Sequence, residues 1–461
     1  MKKALLFLLA LASMLQAQAG PEWGYRKAAG QPARPSPEWL KSAGIYQIWV
    51  HSYTPEGTIR GVTARLPHIK ELGATIVYLC PITLGKGEFD VIDYFKVNPK
   101  FGTEADLKEL VGKAHKLGMK VMLDEVYYHT APENELLKRP GFFKRNPDGK
   151  LELGLWKMPM PDFTNPEVRK YFIGNLVYWV KEFGVDAFRC DVSGGVPLTF
   201  WEQARDALDQ VNRDVVLLSE NDMPEEQLKA FDISYGYPYY FHVLRDVMTL
   251  GDSATRIRQG WEKQRAIFPV GSRFLHFNDN HDQPRAVLEF GTRGALATSV
   301  LDFTLDGIPF LFMGQEFADA NDLGVGPKFP RKREPGREMD KHTAGLYAQY
   351  DVYKRLFQLR KDEPALNSGS LAWIDNTEPD SVLSFLRKQG DDEILVIVNL
   401  SNRKLTGWVD LPWANYSNLH DLIKNSRVSV PIQQGKVCFT LNAFDYIVAK
   451  KMPRPGLGDP Q

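Results

Sequence analysis

The chemistry this chain can offer sits where apolar runs break off into charge. "MKVMLDEV" carries Asp124 and Glu125 with His129 close behind, "VDAFRCDV" carries Arg189 and Asp191, "DVVLLSE" ends on Glu220, and "RFLHFND" is followed by Asn280, His281 and Asp282. One acid after a strand is more often a helix cap than a catalyst. Asp191 alone could cap a helix beyond Gly194 and Gly195, and Glu220 alone could be a surface residue. Independent capping does not explain Asp, Glu and Asp at the ends of three separate apolar runs, accompanied by an arginine and two histidines. Two reactions suit such a set. Retaining glycoside hydrolysis needs two carboxyl groups ~5–5.5 Å apart, one attacking and the other acting as acid and then base. Metal-assisted hydrolysis would use histidines and carboxylates as ligands, but no His-x-His follows the first apolar strand and no histidine pair stands at ligand spacing.

Bringing these residues to one place requires a particular scaffold. Eight short apolar runs recur, beginning at Gly44, Ala74, Met119, Val185, Asp214, Phe231, Arg273 and Ile308. Continuous rather than alternating apolarity is the pattern of a parallel sheet buried on both faces. Between the runs lie amphipathic stretches such as "GTEADLKELVGKAHKLGM" and "NPEVRKYFIGNLVYWVKEFG", which open on capping residues and end near glycine. Alternating strand and helix eight times predicts an α/β fold, a (β/α)8 TIM barrel, whose chemistry belongs at the C-terminal ends of its strands. A doubly wound open sheet is the competing fold, and the count of eight argues against it.

The expected organisation is a signal peptide at 1–19, a barrel at 20–129 and 163–365, an insertion at 130–162, a β domain at 366–451 and a flexible tail at 452–461. The insertion follows the third strand and is rich in Pro, Gly and charge, with Phe142, Phe143 and Trp156 interspersed. A long connection on that face usually shapes the substrate site. Beyond Leu366, short alternating runs with turn signals read as antiparallel strands.

At the N-terminus, two lysines precede an apolar run from Ala4 to Leu15 and then Ala17-Gln18-Ala19. That is the form of a cleavable export signal, cut near Ala19. It predicts a secreted or periplasmic protein with no membrane insertion after cleavage. Lys+Arg and Asp+Glu are equal at 57 each, so no basic stripe for nucleic acid is present and a neutral, polar partner fits best. Cys80, Cys190 and Cys438 are scattered among apolar residues, which reads as packing rather than a disulfide framework.

Taken in order, "LDEVYYHT", "FRCDV", "LLSEND" and "FNDNHD" resemble the motifs of the α-amylase family, glycoside hydrolase family 13. "MPMPDFTNPEV" is similar to the motif closing that family's inserted B domain, and "GIPFLFMGQE" to its last barrel strand. The resemblance spans nearly the whole chain after residue 19. It implies an α-glucan oligosaccharide or polysaccharide as substrate, cleaved at α-1,4 or α-1,6 bonds with retention. It further implies Asp191 as nucleophile, Glu220 as general acid/base and Asp282 as the third carboxylate. Arg189 would hold Asp191 ionised, a cation beside a carboxylate lowering its pKa. His129 and His281 would bind the sugar, Asp124 would support the cluster, Phe89 would stand for the usual stacking tyrosine, and Asp90 could cap the chain end in exo-acting relatives. The resemblance implies no cofactor. The asparagine that ligates calcium in many family members is Tyr128 here, so calcium is not expected at that position. The Lys-His that many members carry three and four residues after the nucleophile is Gly194-Gly195. Exo action, transglycosylation by the same residues, a non-catalytic carbohydrate-binding role and the oligomeric state stay open at this level.

Overall fold

The computed structural model describes residues 27–320, 347–411, 418–428, 432–433 and 436–452. The expected signal segment 1–19 lies outside the described residues. Eight parallel strands form the centre: β1 (Ile45–Ile48), β2 (Ile76–Leu79), β3 (Lys120–Val126), β4 (Ala187–Asp191), β5 (Val216–Ser219), β6 (Ile233–Ser234), β7 (Leu275–His276) and β8 (Ile308–Phe312). Each sits at one of the eight apolar runs. Strands β1 to β6 pair in sequence, β8 pairs with β1 through Ile45 and Phe310, and β7 pairs with β8. A parallel bridge between Ser234 and Phe274 joins β6 to β7 and closes the barrel.

Outside the strands run α1 (Ile59–Leu72), α2 (Glu104–Lys116), α3 (Pro166–Phe183), α4 (Leu198–Val211), α5 (Glu226–Lys229), α6 (Thr255–Ile267), α7 (Ala286–Thr304) and α8 (Tyr347–Asp362). Local chemistry sets their ends. Thr58 caps α1, Thr103 and Asp106 close a reciprocal capping box on α2, and Asn165 with Pro166 starts α3, which stops at left-handed Gly184. Apolar side chains from the helices, such as Leu66, Leu110, Trp179 and Trp201, share one buried core with the strands. Burial on both faces is why the strand sequences show no polar alternation.

Two connections at the C-terminal end are elaborated. After β2, Thr83–Gly85 and Val91–Val97 form an antiparallel hairpin. Between β3 and α3, the chain makes a single 3₁₀ turn at Glu135–Lys138 and then a narrow ribbon held by bridges Phe143 to Pro161, Arg145 to Leu151 and Leu153 to Pro159. From Ser370 onward the strands are antiparallel and enclose a second core that includes Val382, Ile397, Val409 and Phe439. Arg387 ties this unit to the barrel by donating to the Thr304 carbonyl at the end of α7. Among the described residues, no helix is long and apolar enough to cross a membrane.

Candidate active site

Register explains how β3 and β4 present their polar residues. Asp124 lies beside Arg189, and Glu125 beside Cys190. Because strand side chains alternate, Asp124, Arg189 and Asp191 share one face while Glu125 and Cys190 take the other. Arg189 is fully buried. Its Nη1 donates to Asp124 Oδ1 at 2.9 Å and to Asp191 Oδ1 at 2.6 Å, and its Nη2 lies 2.5 Å from Glu220 Oε1. One guanidinium therefore touches carboxylates carried at the ends of three consecutive strands. Tyr78 on β2 donates to the free oxygen of Asp124 at 2.5 Å, and the Tyr235 ring lies 5.7 Å from the guanidinium carbon.

Glu220 stands one residue beyond β5. Its Oε2 accepts the Val192 backbone N–H at 2.7 Å, and its Oε1 accepts the Tyr237 hydroxyl at 3.1 Å. Val192 adopts φ 40° and ψ 43°, a left-handed conformation that costs a β-branched residue on the order of 1–3 kcal/mol. That turn, closed by Gly195 N–H donating to the Val192 carbonyl, aims the amide following Asp191 at Glu220. Asp282 completes the group from the loop after β7. Its own N–H donates to Asn280 Oδ1, whose amide nitrogen in turn donates to Tyr235. The Asp282 side chain is 30% exposed, against 8% for Asp191 and 7% for Glu220, so it is the most open of the three.

The electrostatics follow from burial. Desolvation pushes Glu220 up to about 8, with Asp191 and Asp282 adding repulsion and Arg189 opposing. Desolvation likewise raises Asp191 to about 7 and Asp124 to about 6, in each case against the pull of Arg189. Arg189 thus acts on Asp191 in the expected direction, but burial and the neighbouring carboxylates outweigh it. Burial lowers both His129 and His281 to about 4, which makes them neutral hydrogen-bonding groups.

The remaining predicted residues are placed as follows. His129 Nε2 donates to the Phe89 carbonyl at 2.9 Å, and the Phe89 ring stacks on His281 with centroids 5.6 Å apart and an 8° tilt. Phe89 thereby supports both histidines. Asp90 Oδ1 accepts the Gly87 N–H at 2.6 Å and so braces its own loop. Phe142 and Phe143 are buried within the insertion, whereas Trp156 is 45% exposed with its ring 5.2 Å from His129. Gly194 and Gly195 have a steric cause. A Cβ on Gly195 would meet the Tyr128 ring at 2.4 Å, and one on Gly194 would meet Asn221 at 2.7 Å. Tyr128, packed against Trp156 and accepting from the Leu155 backbone N–H, fills the space beside that turn. Among the described residues, no three His, Cys, Asp or Glu side chains are arranged to hold a metal ion.

Sequence reasoning missed Gln47, Tyr78, Tyr235 and Tyr237. Gln47 had a readable signal, being the one amide inside "GIYQIWV". The tyrosines had none, because a tyrosine in an apolar run reads as core.

Comparison with known proteins agrees with this fold. The profile of the α-amylase catalytic domain matches residues 26–150 and 148–347. A cyclomaltodextrinase from Bacillus sp is 27% identical over 417 residues, covering 79% of this chain and 73% of that protein. A maltogenic α-amylase from Bacillus acidopullulyticus is 26% identical over 427 residues, covering 80% and 71%. The crystal structure of a noncanonic maltogenic α-amylase from Thermotoga neapolitana superposes with a TM-score of 0.80 at 28% identity, covering 90% of this chain and 99% of that one.

Proposed function

The chain belongs to the α-amylase family of glycosidases, and on that premise we propose that it hydrolyses the α-glucosidic bonds of maltodextrins with retention of configuration, after export from the cytoplasm. Linear and cyclic maltooligosaccharides are the favoured substrates, because its relatives include a cyclomaltodextrinase and a maltogenic α-amylase.

The observation that carries the reading is the single buried Arg189 bound to Asp191 and Glu220 at once. The adjacent nitrogens of one guanidinium keep the two carboxyl groups within roughly 7 Å, which suits the ~5–5.5 Å of a retaining pair and puts most of the inverting range out of reach. Glu220, its pKa raised by burial, donates its proton to the departing glycosidic oxygen while Asp191 attacks the anomeric carbon. A glycosyl ester forms on Asp191. Glu220, now ionised, takes a proton from water, which breaks that ester and restores both groups. The Val192 amide and Tyr237 hydroxyl hold Glu220 in line. Asp282 and the neutral histidines bind sugar hydroxyls, with Asp282 favouring the positive charge that develops on the ring.

Asp191→Ala and Glu220→Gln should each abolish release of reducing ends from maltoheptaose while leaving circular dichroism and melting intact. Proton NMR of the wild-type reaction should show the α-anomer first. Wild-type turnover in both variants would sink the proposal. A time course on maltoheptaose, pullulan and cyclodextrin then assigns the bond preference.

A further inference from the structure

Gln47 lies in the middle of β1, fully buried, and reaches a residue 234 positions away. Its side-chain carboxamide makes two contacts with His281. The His281 backbone N–H donates to Gln47 Oε1 at 3.3 Å, and Gln47 Nε2 lies 2.8 Å from His281 Nδ1. A backbone N–H can only donate, so the atom facing it must be the amide oxygen. The amide nitrogen then faces the ring, and it too can only donate. Nδ1 must therefore carry a lone pair, and the ring proton must sit on Nε2.

We propose that Gln47 is a positioning residue that holds His281 as a neutral Nε2–H donor directed at the substrate. His281 Nε2 is buried, makes no aligned hydrogen bond, and stands 3.3 Å from Asp282 Oδ2. The donor is thus available beside the third carboxylate for a hydroxyl of the bound ligand. Rotation of the ring is blocked by Phe89 stacked on it and by Trp49 with its centroid 5.5 Å away. The charged groups facing the ring are Asp282 from its own loop and Arg189 from β4, and they act in opposite directions. A proton on Nδ1 would point at the amide N–H, so protonation is disfavoured by geometry as well as by burial. His281 stays a donor over the whole working pH range. That the group it meets is a sugar hydroxyl rests on the glucan reading above; the tautomer does not.

Two readouts test this. In protein labelled with ¹⁵N-histidine, the long-range ¹H–¹⁵N spectrum assigns the His281 tautomer, its signals being those lost in His281→Gln. The wild type should show the Nε2–H pattern unchanged from pH 5 to 8. Gln47→Glu replaces the donor with an acceptor, so His281 should gain a proton on Nδ1 and its pKa should rise. At low pH the imidazolium keeps its Nε2–H. As pH rises through the new pKa, the neutral Nδ1–H form turns a lone pair toward the substrate. The variant should therefore lose about 10- to 100-fold in kcat/KM for maltoheptaose, with the loss growing as pH rises. A merely structural defect would lower activity evenly across pH. A wild-type spectrum of the Nδ1–H form overturns the proposal, even if the variant does not fold. An unchanged spectrum and pH profile in Gln47→Glu also overturns it. The expected wild-type tautomer in a protein without glucan turnover would instead refute the assigned function.

Discussion

Replacing Arg189 by methionine removes one charge from the centre of three carboxylates, and its consequences can be worked through. Burial already pushes Asp191 up to about 7 with the guanidinium 2.6 Å away, so any further rise depletes the ionised nucleophile at neutral pH. An adjacent cation holds a carboxylate down by ~1–3 units. Without it, a rise of about two units would deplete the ionised nucleophile by on the order of 10- to 100-fold before any misalignment. Glu220 loses the same partner and rises too, so the window in which one group is ionised and the other protonated moves to alkaline pH as a whole. The expected result is a kcat/KM profile on maltoheptaose shifted upward by about two units, with a lower maximum. Stability should change with the same sign. In the native protein burial raises Asp124, Asp191 and Glu220 above the ordinary carboxylate range, to about 6, 7 and 8. Their contribution is therefore complete below pH ~4 and is lost as pH rises through those values. The variant, with its buried carboxylates uncompensated, should lose about 3–5 kcal/mol at pH 8 and clearly less at pH 5, measured by urea denaturation. Arg189→Lys should fall between, because an ammonium cannot reach all three partners. A methionine variant whose pH profile superimposes on the wild type, or whose destabilisation is greater at pH 5 than at pH 8, refutes the reasoning.

Two further substitutions probe the turn after Asp191. Val192→Gly should relieve the left-handed strain, stabilising by up to about 1 kcal/mol and keeping turnover within a few-fold, whereas Val192→Pro removes the N–H held by Glu220 and cannot adopt φ 40°, so hydrolysis should vanish; equal activity in the two variants would count against the assigned amide. Gly195→Ala drives a methyl against Tyr128 and should cost about 1–3 kcal/mol in thermal unfolding, most of it recovered in a Tyr128→Leu background; strict additivity of the two changes would mean that the contact is not the cause.

Much of the scaffold was legible because barrel strands and their helices are locally encoded. A run such as "TIVYLC" is apolar on both faces only if both faces are covered, and "TEAD" caps a helix wherever it folds. The rule that strand ends carry the chemistry of such a barrel then singled out Asp124, Asp191 and Glu220 from a chain with 57 acidic residues. Arg189 and Asp191 share a face by strand periodicity alone.

Long-range contacts were a different matter. No local pattern links Gln47 to His281, Tyr78 to Asp124, or Asn221 and Tyr128 to the two glycines, because each partner belongs to a different strand end and meets the other only after the barrel closes. The two glycines read from the chain as a missing contact; in the fold Asn221 crowds the first and Tyr128 the second. The direction of the Asp191 titration also reversed between sequence and structure. The neighbouring arginine is visible in the sequence and lowers the pKa, while the depth of burial and the second and third carboxylates that raise it exist only in three dimensions. The sequence by itself determined which elements form and which residues they carry to the barrel mouth. Solvent exclusion and contacts between distant strands, which only the tertiary structure supplies, decided the protonation states and orientations those residues adopt there.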